Sequence, residues 1–254
     1  QRSGLLEAKV SQDVADLPPE RLKDYQVVFF YTTGEHPLTA EGKQAFLGWI
    51  KAGGGFIGAH CATDTNYRWA EYGEMIGGYF DGHPWTQEVG IKVEDTAHPI
   101  SQTFDDSFRI REEVYTYRNW SRDQVHVLMS LDNNTVNLQA PGVKRADQDF
   151  AVAWCKEYGQ GRVFFSGFGH FDEAWTDPRL QAMFLDAIKW ECRLDWRSDA
   201  ALSDLVARQD AAALAKLVAG RPDVLAVEPV RALAAIPTEA ARTEIASLAK
   251  QGPS

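Results

Sequence analysis

The sequence predicts an α/β protein, with a mostly parallel sheet, helices on both of its faces, and an all-α extension after it. Three observations carry this. Short apolar runs at Val27–Tyr31 and Phe56–Ala59, and within Arg162–Gly169, have the length and composition of strands buried on both sides. Strand, loop, helix and strand follow one another over residues 27–59, the unit from which parallel sheets are built. After Asp195-Trp196 the composition changes: residues 198–250 are rich in Ala and Leu and lack Phe, Trp and Tyr. Two units follow, an α/β domain over 1–196 and a helical extension over 197–254.

Each element has a local reason. Residues 1–24 are polar, with Pro18-Pro19 as punctuation. Thr39 is an N-cap for a helix to Ala52 that carries Phe46, Leu47 and Ile50 on one side. Gly53-Gly54-Gly55 stops that helix and leads into the strand that ends at His60. Asn66–Phe80 reads as a loop and short helix, Asp81–Trp85 as a turn, and Val89–Val93 as a strand. Phe108–Ile110 is extended and runs into a stretch dense in carboxylates and aromatics, Glu112–Trp120. Val125–Leu131 and Phe150–Trp154 are further strands, and Tyr158-Gly159-Gln160-Gly161 is a hairpin-like turn. Asp177-Pro178 is an N-cap with proline at the first helical position, opening a helix to about Cys192. Spacing at Leu202, Leu205 and Val206, at Leu214, Leu217 and Val218, and at Val230 and Leu233 predicts short helices in series. They are the start of a helical repeat or a packed extension.

Bulk properties narrow the function. The 254 residues carry a net charge of −10, which argues against nucleic acid or anionic membrane as the main partner. No apolar run reaches the length of a membrane span. Gln1-Arg2-Ser3-Gly4 opens no signal peptide, so a soluble protein is expected, cytoplasmic or, after signal removal, periplasmic or secreted. Cys61, Cys155 and Cys192 are too few and too far apart for a disulfide scaffold.

The chemistry lies in a coincidence of position. Two glycine-flanked strands end in histidine, His60 and His170, each followed by acids: Asp64 after the first, Asp172 and Glu173 after the second. Parallel neighbours would bring both ends to one edge of the sheet, where open α/β folds place their sites. The turn with His83 and Trp85, and the segment with Glu112 and Glu113, would wall the cleft. Imidazoles and carboxylates are the groups that proton transfer near neutrality requires. The same residue types could hold a divalent metal, with His60, His83 and His170 as a candidate ligand set, although their spacing is no metal signature. In Gly58-Ala59-His60-Cys61-Ala62 the central slot of an elbow-like turn holds His60, and the thiol of Cys61 stands one residue late. His36, His98 and His126 read as surface or structural residues, with His36 also near a strand end.

At these residues the chain resembles the ThuA-like family, named for trehalose utilisation. The matching stretches are GGGFIGAHCATDT, YGEMIGGYFDGHPWTQEV, EEVYTYRNW and AWCKEYGQGRVFFSGFGHFDEAW, with the closing helix to Trp190. The resemblance covers about residues 10–196. It implies a flavodoxin-like fold, similar to class I glutamine amidotransferases but without their nucleophilic cysteine, in agreement with His60 in that slot. Members usually begin with a strand and a Gly-Phe-Arg-His-like loop, so the first family strand is expected to be missing here. The family implies carbohydrate catabolism, often of keto-sugars. On that footing His60, His170 and Glu113 are expected to transfer protons, with Asp64, Asp172 and Glu173 orienting them. His83, Trp85, Tyr72 and Tyr117 are expected to bind a small carbohydrate, and Glu113 with Glu173 would be the pair of a direct glycosidase. The alternative is a non-catalytic carbohydrate-binding module, and a third reading is thiol chemistry at Cys61. The helical tail is the expected route to a homo-oligomer or a larger assembly.

Overall fold

The computed structural model describes residues 6–195, 197, 199–218 and 223–251; the opening Gln1-Arg2-Ser3-Gly4 and the boundary residue Trp196 lie outside them. In chain order the elements are α1 (Pro19–Leu22), β1 (Val27–Phe30), α2 (Ala40–Lys51), β2 (Gly55–Ala59), α3 (Ala70–Ile76), β3 (Tyr79–Val93), β4 (Ser107–Arg118), β5 (His126–Leu131), β6 (Ala151–Tyr158) and β7 (Gly161–Ser166). Then come α4 (Asp172–Thr176), α5 (Pro178–Glu191), α6 (Ala200–Ala207), α7 (Ala211–Val218), α8 (Asp223–Ala234) and α9 (Glu239–Gln251).

The strands form one seven-stranded sheet in the order β1-β2-β7-β6-β5-β3-β4. It is an α/β sheet with helices on both faces, but it is mixed rather than mostly parallel. Only β1, β2 and β7 run parallel. The pairings β7–β6, β6–β5, β5–β3 and β3–β4 are antiparallel. The reason is connection length: a parallel pair needs a long crossover, and the Tyr158–Gly161 hairpin joining β6 to β7 allows only an antiparallel one.

Period-two alternation sends Phe56 to one face and Ile57 to the other. On the Phe56 face lie Phe46, Leu47 and Ile50 of α2 with Tyr72, Met75 and Ile76 of α3. On the Ile57 face lie Leu180, Met183, Ala187 and Trp190 of α5. Thr39 caps α2 by accepting from the Gly42 N–H, and Asp177 caps α5 by accepting from the Arg179 N–H.

The long β3–β4 hairpin departs most from expectation. The segment Asp81–Trp85 is not a turn but a bulged part of β3, with register shifts between Phe80 and Gly82 and between Gly82 and Trp85. Gly82 sits at φ 140°, a conformation open to glycine, and this is what lets the strand run on. β5 pairs only with Ile91, Lys92 and Val93 of β3. The other half of the hairpin, from Tyr79 to Glu88 with its β4 partners, therefore leaves the sheet as a two-stranded ribbon.

The C-terminal helices build a separate small core from Leu202, Leu214, Leu233, Ile236 and Ala241. They dock on α5 through Arg231, which makes a bidentate contact to Asp186 at 2.5 and 2.7 Å, and through Glu228 to Lys189 at 3.2 Å. No helix among the described residues is long and apolar enough to cross a membrane.

Candidate active site

The site forms where β2 and β7 end side by side. His60 follows β2 in a left-handed conformation, φ 43°, which is strained for a residue with a side chain. Its ring is held from two directions. Nδ1–H donates to the Gly167 carbonyl, just past β7, at 2.9 Å, and the ring lies on Tyr115 with centroids 4.1 Å apart. With Nδ1 as donor, Nε2 carries the lone pair. That atom is buried, in a residue only 3 % exposed, and makes no hydrogen bond. Burial lowers the proton affinity of this imidazole, against the opposing pull of the Gly167 carbonyl and Glu113.

Glu113 stands among three imidazoles. Its Oε2 is 3.5 Å from His60 Nε2 and 3.1 Å from His170 Nδ1, while Oε1 is 3.4 Å from His83 Nδ1. The His60 and His170 rings are 5.3 Å apart. Access is graded: His60 is closed off, the His170 side chain is 38 % exposed and that of His83 is 50 % exposed. The sheet thus supplies two rings from parallel strand ends, and the ribbon supplies the carboxylate and the outer ring.

Other expected site residues stand apart from this cluster. Asp64 accepts from Tyr67 Oη at 2.5 Å and Thr33 Oγ1 at 3.0 Å, so it fastens neighbouring loops rather than orienting His60. Asp172 and Glu173 lie exposed in the first turn of α4, where acids suit the helix dipole, and neither pairs with a histidine. The expected sugar-binding aromatics are core residues. Tyr72 is fully buried and donates to the Ala62 carbonyl at 2.7 Å. Trp85 packs edge-on to Phe150 and donates to the Asn137 carbonyl at 2.9 Å. Tyr117 meets Trp154 and Phe165 edge-on inside the fold.

His36 bonds Asn66, and His98 is buried beside Trp190, both structural positions. His126 pairs with Asp95 at 2.9 Å. Cys61 is half-buried, and burial pushes its thiol up to about 11, away from nucleophilic character at neutral pH. The surface hollows around Tyr79 and Trp120, and along Lys43, Trp69 and Tyr158, contain none of the clustered groups.

A sequence model of the ThuA family, described as trehalose utilisation, matches residues 1–191. The chain belongs to the ThuA family. That membership places it in carbohydrate metabolism. A ThuA-like protein from Bacteroides uniformis ATCC 8492 is similar in structure, with a TM-score of 0.60 at 28 % identity over 71 % of this chain and 74 % of that one. A ThuA-like protein from Parabacteroides merdae ATCC 43184 shares the fold with a TM-score of 0.53 at 16 % identity, over 74 % of this chain and 77 % of that one. So does a cytoplasmic protein from Salmonella typhimurium LT2, with a TM-score of 0.51 at 10 % identity over 69 % and 75 %. No curated protein matches the sequence. The flavodoxin-like fold expected for the family is the one observed, and the helices after residue 200 lie beyond the 191 residues that the family model matches.

Within this ThuA site Glu113 faces the cluster, whereas Glu112, expected beside it in the cleft wall, supports the site from behind, as do Tyr115 and Tyr31. Glu112 is buried and accepts from the N–H groups of Glu113, Gly169 and His170 at 2.9, 2.9 and 3.1 Å. Burial raises its pKa, and these three backbone donors oppose that rise. Tyr115 floors His60, and Tyr31 reaches the Gly169 carbonyl at 3.0 Å. One signal was available. Adjacent residues of a strand face opposite ways, so Glu112 and Glu113 could not both line one cleft wall.

Proposed function

We propose that this ThuA protein is an enzyme of sugar breakdown acting on a sugar or keto-sugar at the His60–Glu113–His170 cluster. The observation that carries this reading is the Glu113 carboxylate, set within 3.5 Å of one buried and one accessible imidazole at the carboxyl ends of adjoining parallel strands. A ketone makes the neighbouring C–H acidic. A base at the cleft takes that proton, the C–H electron pair becomes the C=C bond of an enediolate, and negative charge moves onto the ketone oxygen. The cluster stabilises that charge. Reprotonation at the other carbon, with the neighbouring hydroxyl proton passing to the former ketone oxygen, completes an isomerisation; loss of the glycosidic oxygen, protonated as it leaves, completes an elimination. Hydrolysis by two carboxylates is not favoured, because Glu173 is exposed on α4 and Glu112 is engaged by three backbone donors.

The test is incubation with a panel of glycosides and their 3-keto forms, following loss of substrate. His170→Ala and Glu113→Gln should each lower turnover by about 100-fold or more, with melting temperatures close to wild type. Unimpaired turnover in both variants would remove the assignment. Sugar binding without turnover, unchanged in the variants, would make the chain a carbohydrate-binding module instead.

A further inference from the structure

The gap between His60 and Glu113 is the wrong size and shape for a proton. Nε2 offers a lone pair to a carboxylate oxygen 3.5 Å away without making a hydrogen bond. Two electron-rich atoms facing each other in a buried place repel unless something positive lies between them. A shared proton would draw the pair to about 2.7–2.9 Å along a straight hydrogen bond. A metal ion would not. Two ligand atoms each about 2.1 Å from one ion stand about 3.0–3.4 Å apart at octahedral to tetrahedral angles. The observed separations from Oε2 are 3.5 Å to His60 and 3.1 Å to His170, and all three ligand atoms fall within 4.8 Å of one another.

We infer that His60 Nε2, Glu113 and His170 Nδ1 together hold one divalent first-row cation, with its remaining positions open toward the half-exposed His83. This rests on the sugar-processing reading of the same site and deepens it. Two imidazoles and one carboxylate on one side of an ion leave positions free for water or for a chelating pair of substrate oxygens. A ketone and its neighbouring hydroxyl form such a pair. The surroundings have the form ligands need. His60 gives its other ring N–H to the Gly167 carbonyl, which fixes both tautomer and orientation. His170 has its backbone N–H tied to Glu112. His83, expected from sequence as a ligand, lies instead 3.4 Å from the outer oxygen of Glu113 and half exposed. That position suits a proton carrier at the rim, and Glu113 takes its place in the ligand set.

The experiment uses the full chain, stripped with chelator and dialysed. Zn²⁺ or Mn²⁺ is titrated by calorimetry, and Co²⁺ is followed by its visible absorption. One ion per chain is expected, with a rise in melting temperature on binding. Glu113→Gln and His170→Ala should each weaken binding by about 10-fold or more, while His83→Ala binds as wild type. Absence of stoichiometric binding to folded wild-type protein overturns the inference, as does binding unchanged in Glu113→Gln and His170→Ala. Circular dichroism of each apo variant shows whether a loss of binding reflects a lost ligand rather than a lost fold; were both unfolded, the wild-type Co²⁺ spectrum decides, since it must show nitrogen ligation. Turnover of keto-sugar by metal-free protein would sink the cation while sparing the proposed function. Tight binding without turnover of any sugar would do the reverse.

Discussion

Glu112 holds the backbone of His170: its Oε1 accepts the His170 N–H at 3.1 Å, and its Oε2 accepts the Gly169 N–H at 2.9 Å. β4 and the loop after β7 are therefore joined beside the cluster by a carboxylate that never faces the cleft. Gly169, at φ 132°, turns its carbonyl outward to accept from Tyr31 Oη and Trp175 Nε1, both at 3.0 Å.

Replacing Glu112 should therefore loosen the site from behind. Glu112→Ala leaves buried backbone donors without an acceptor, a cost on the order of 1–3 kcal/mol in stability. Turnover and cation affinity should fall together by about 10-fold or more. Unfolding curves and ion titrations of the variant check both, and a variant with wild-type affinity would show that the join is dispensable.

The protein should lose stability in mild acid through His98. This ring is buried beside Trp190, with Cys155 Sγ at 3.7 Å, and its Nδ1 accepts the Ile100 N–H. Burial, then the nearby Arg197, lower its pKa to about 3; Asp95 opposes this, and His126 and Arg162 add to it. A histidine depressed in the folded state costs nothing above about pH 6.5. Below that the unfolded chain binds a proton that the folded one refuses, so stability falls by up to about 1.4 kcal/mol per pH unit. Denaturation of wild type and His98→Gln at pH 7 and pH 5 should differ in slope, with wild type losing about 2 kcal/mol more. Equal slopes would place the sensitivity elsewhere.

The tail should depend on one ion pair. Asp186 on α5 is 2 % exposed and meets the Arg231 guanidinium, 17 % exposed, through both its oxygens. Arg231→Ala strands a buried carboxylate, a loss of about 3–5 kcal/mol, with Lys189 at 3.8 Å holding it toward the lower end. Limited proteolysis should then cut within α6–α9 earlier than in wild type, and an unchanged digestion pattern would count against the pair as the anchor.

Much of this was legible in the sequence, for physical reasons. Glycine-bounded apolar strands and the caps Thr39 and Asp177 are local signals, and they place His60, His170 and α5 correctly. The path of the β3–β4 ribbon was not legible, because two bulges around Gly82 resemble a turn when read locally. The inward direction of Tyr72, Trp85 and Tyr117 is obscured for a related reason: polarity of the surrounding segment does not say which way a strand or helix residue faces. Periodicity does. Tyr72 shares helical spacing with buried Met75 and Ile76, and Trp85 lies in phase with buried Val89, Ile91 and Val93. Both patterns mark them as interior. Glu113 was visible as a carboxylate, but its meeting with His60 depends on strand order, which composition does not encode.

The ribbon carrying Glu113 and His83 has ladder hydrogen bonds only to itself beyond Ile91, whereas His60 and His170 sit on the parallel end of the sheet. Whatever occupies the site spans the two parts and draws binding energy from both. Occupancy and closure of the hairpin are then linked quantities, each shifting the other by the same free energy. Amide exchange along residues 79–88 and 111–118 is where loading will register first, as slowed exchange that runs along the ribbon away from Glu113 and His83.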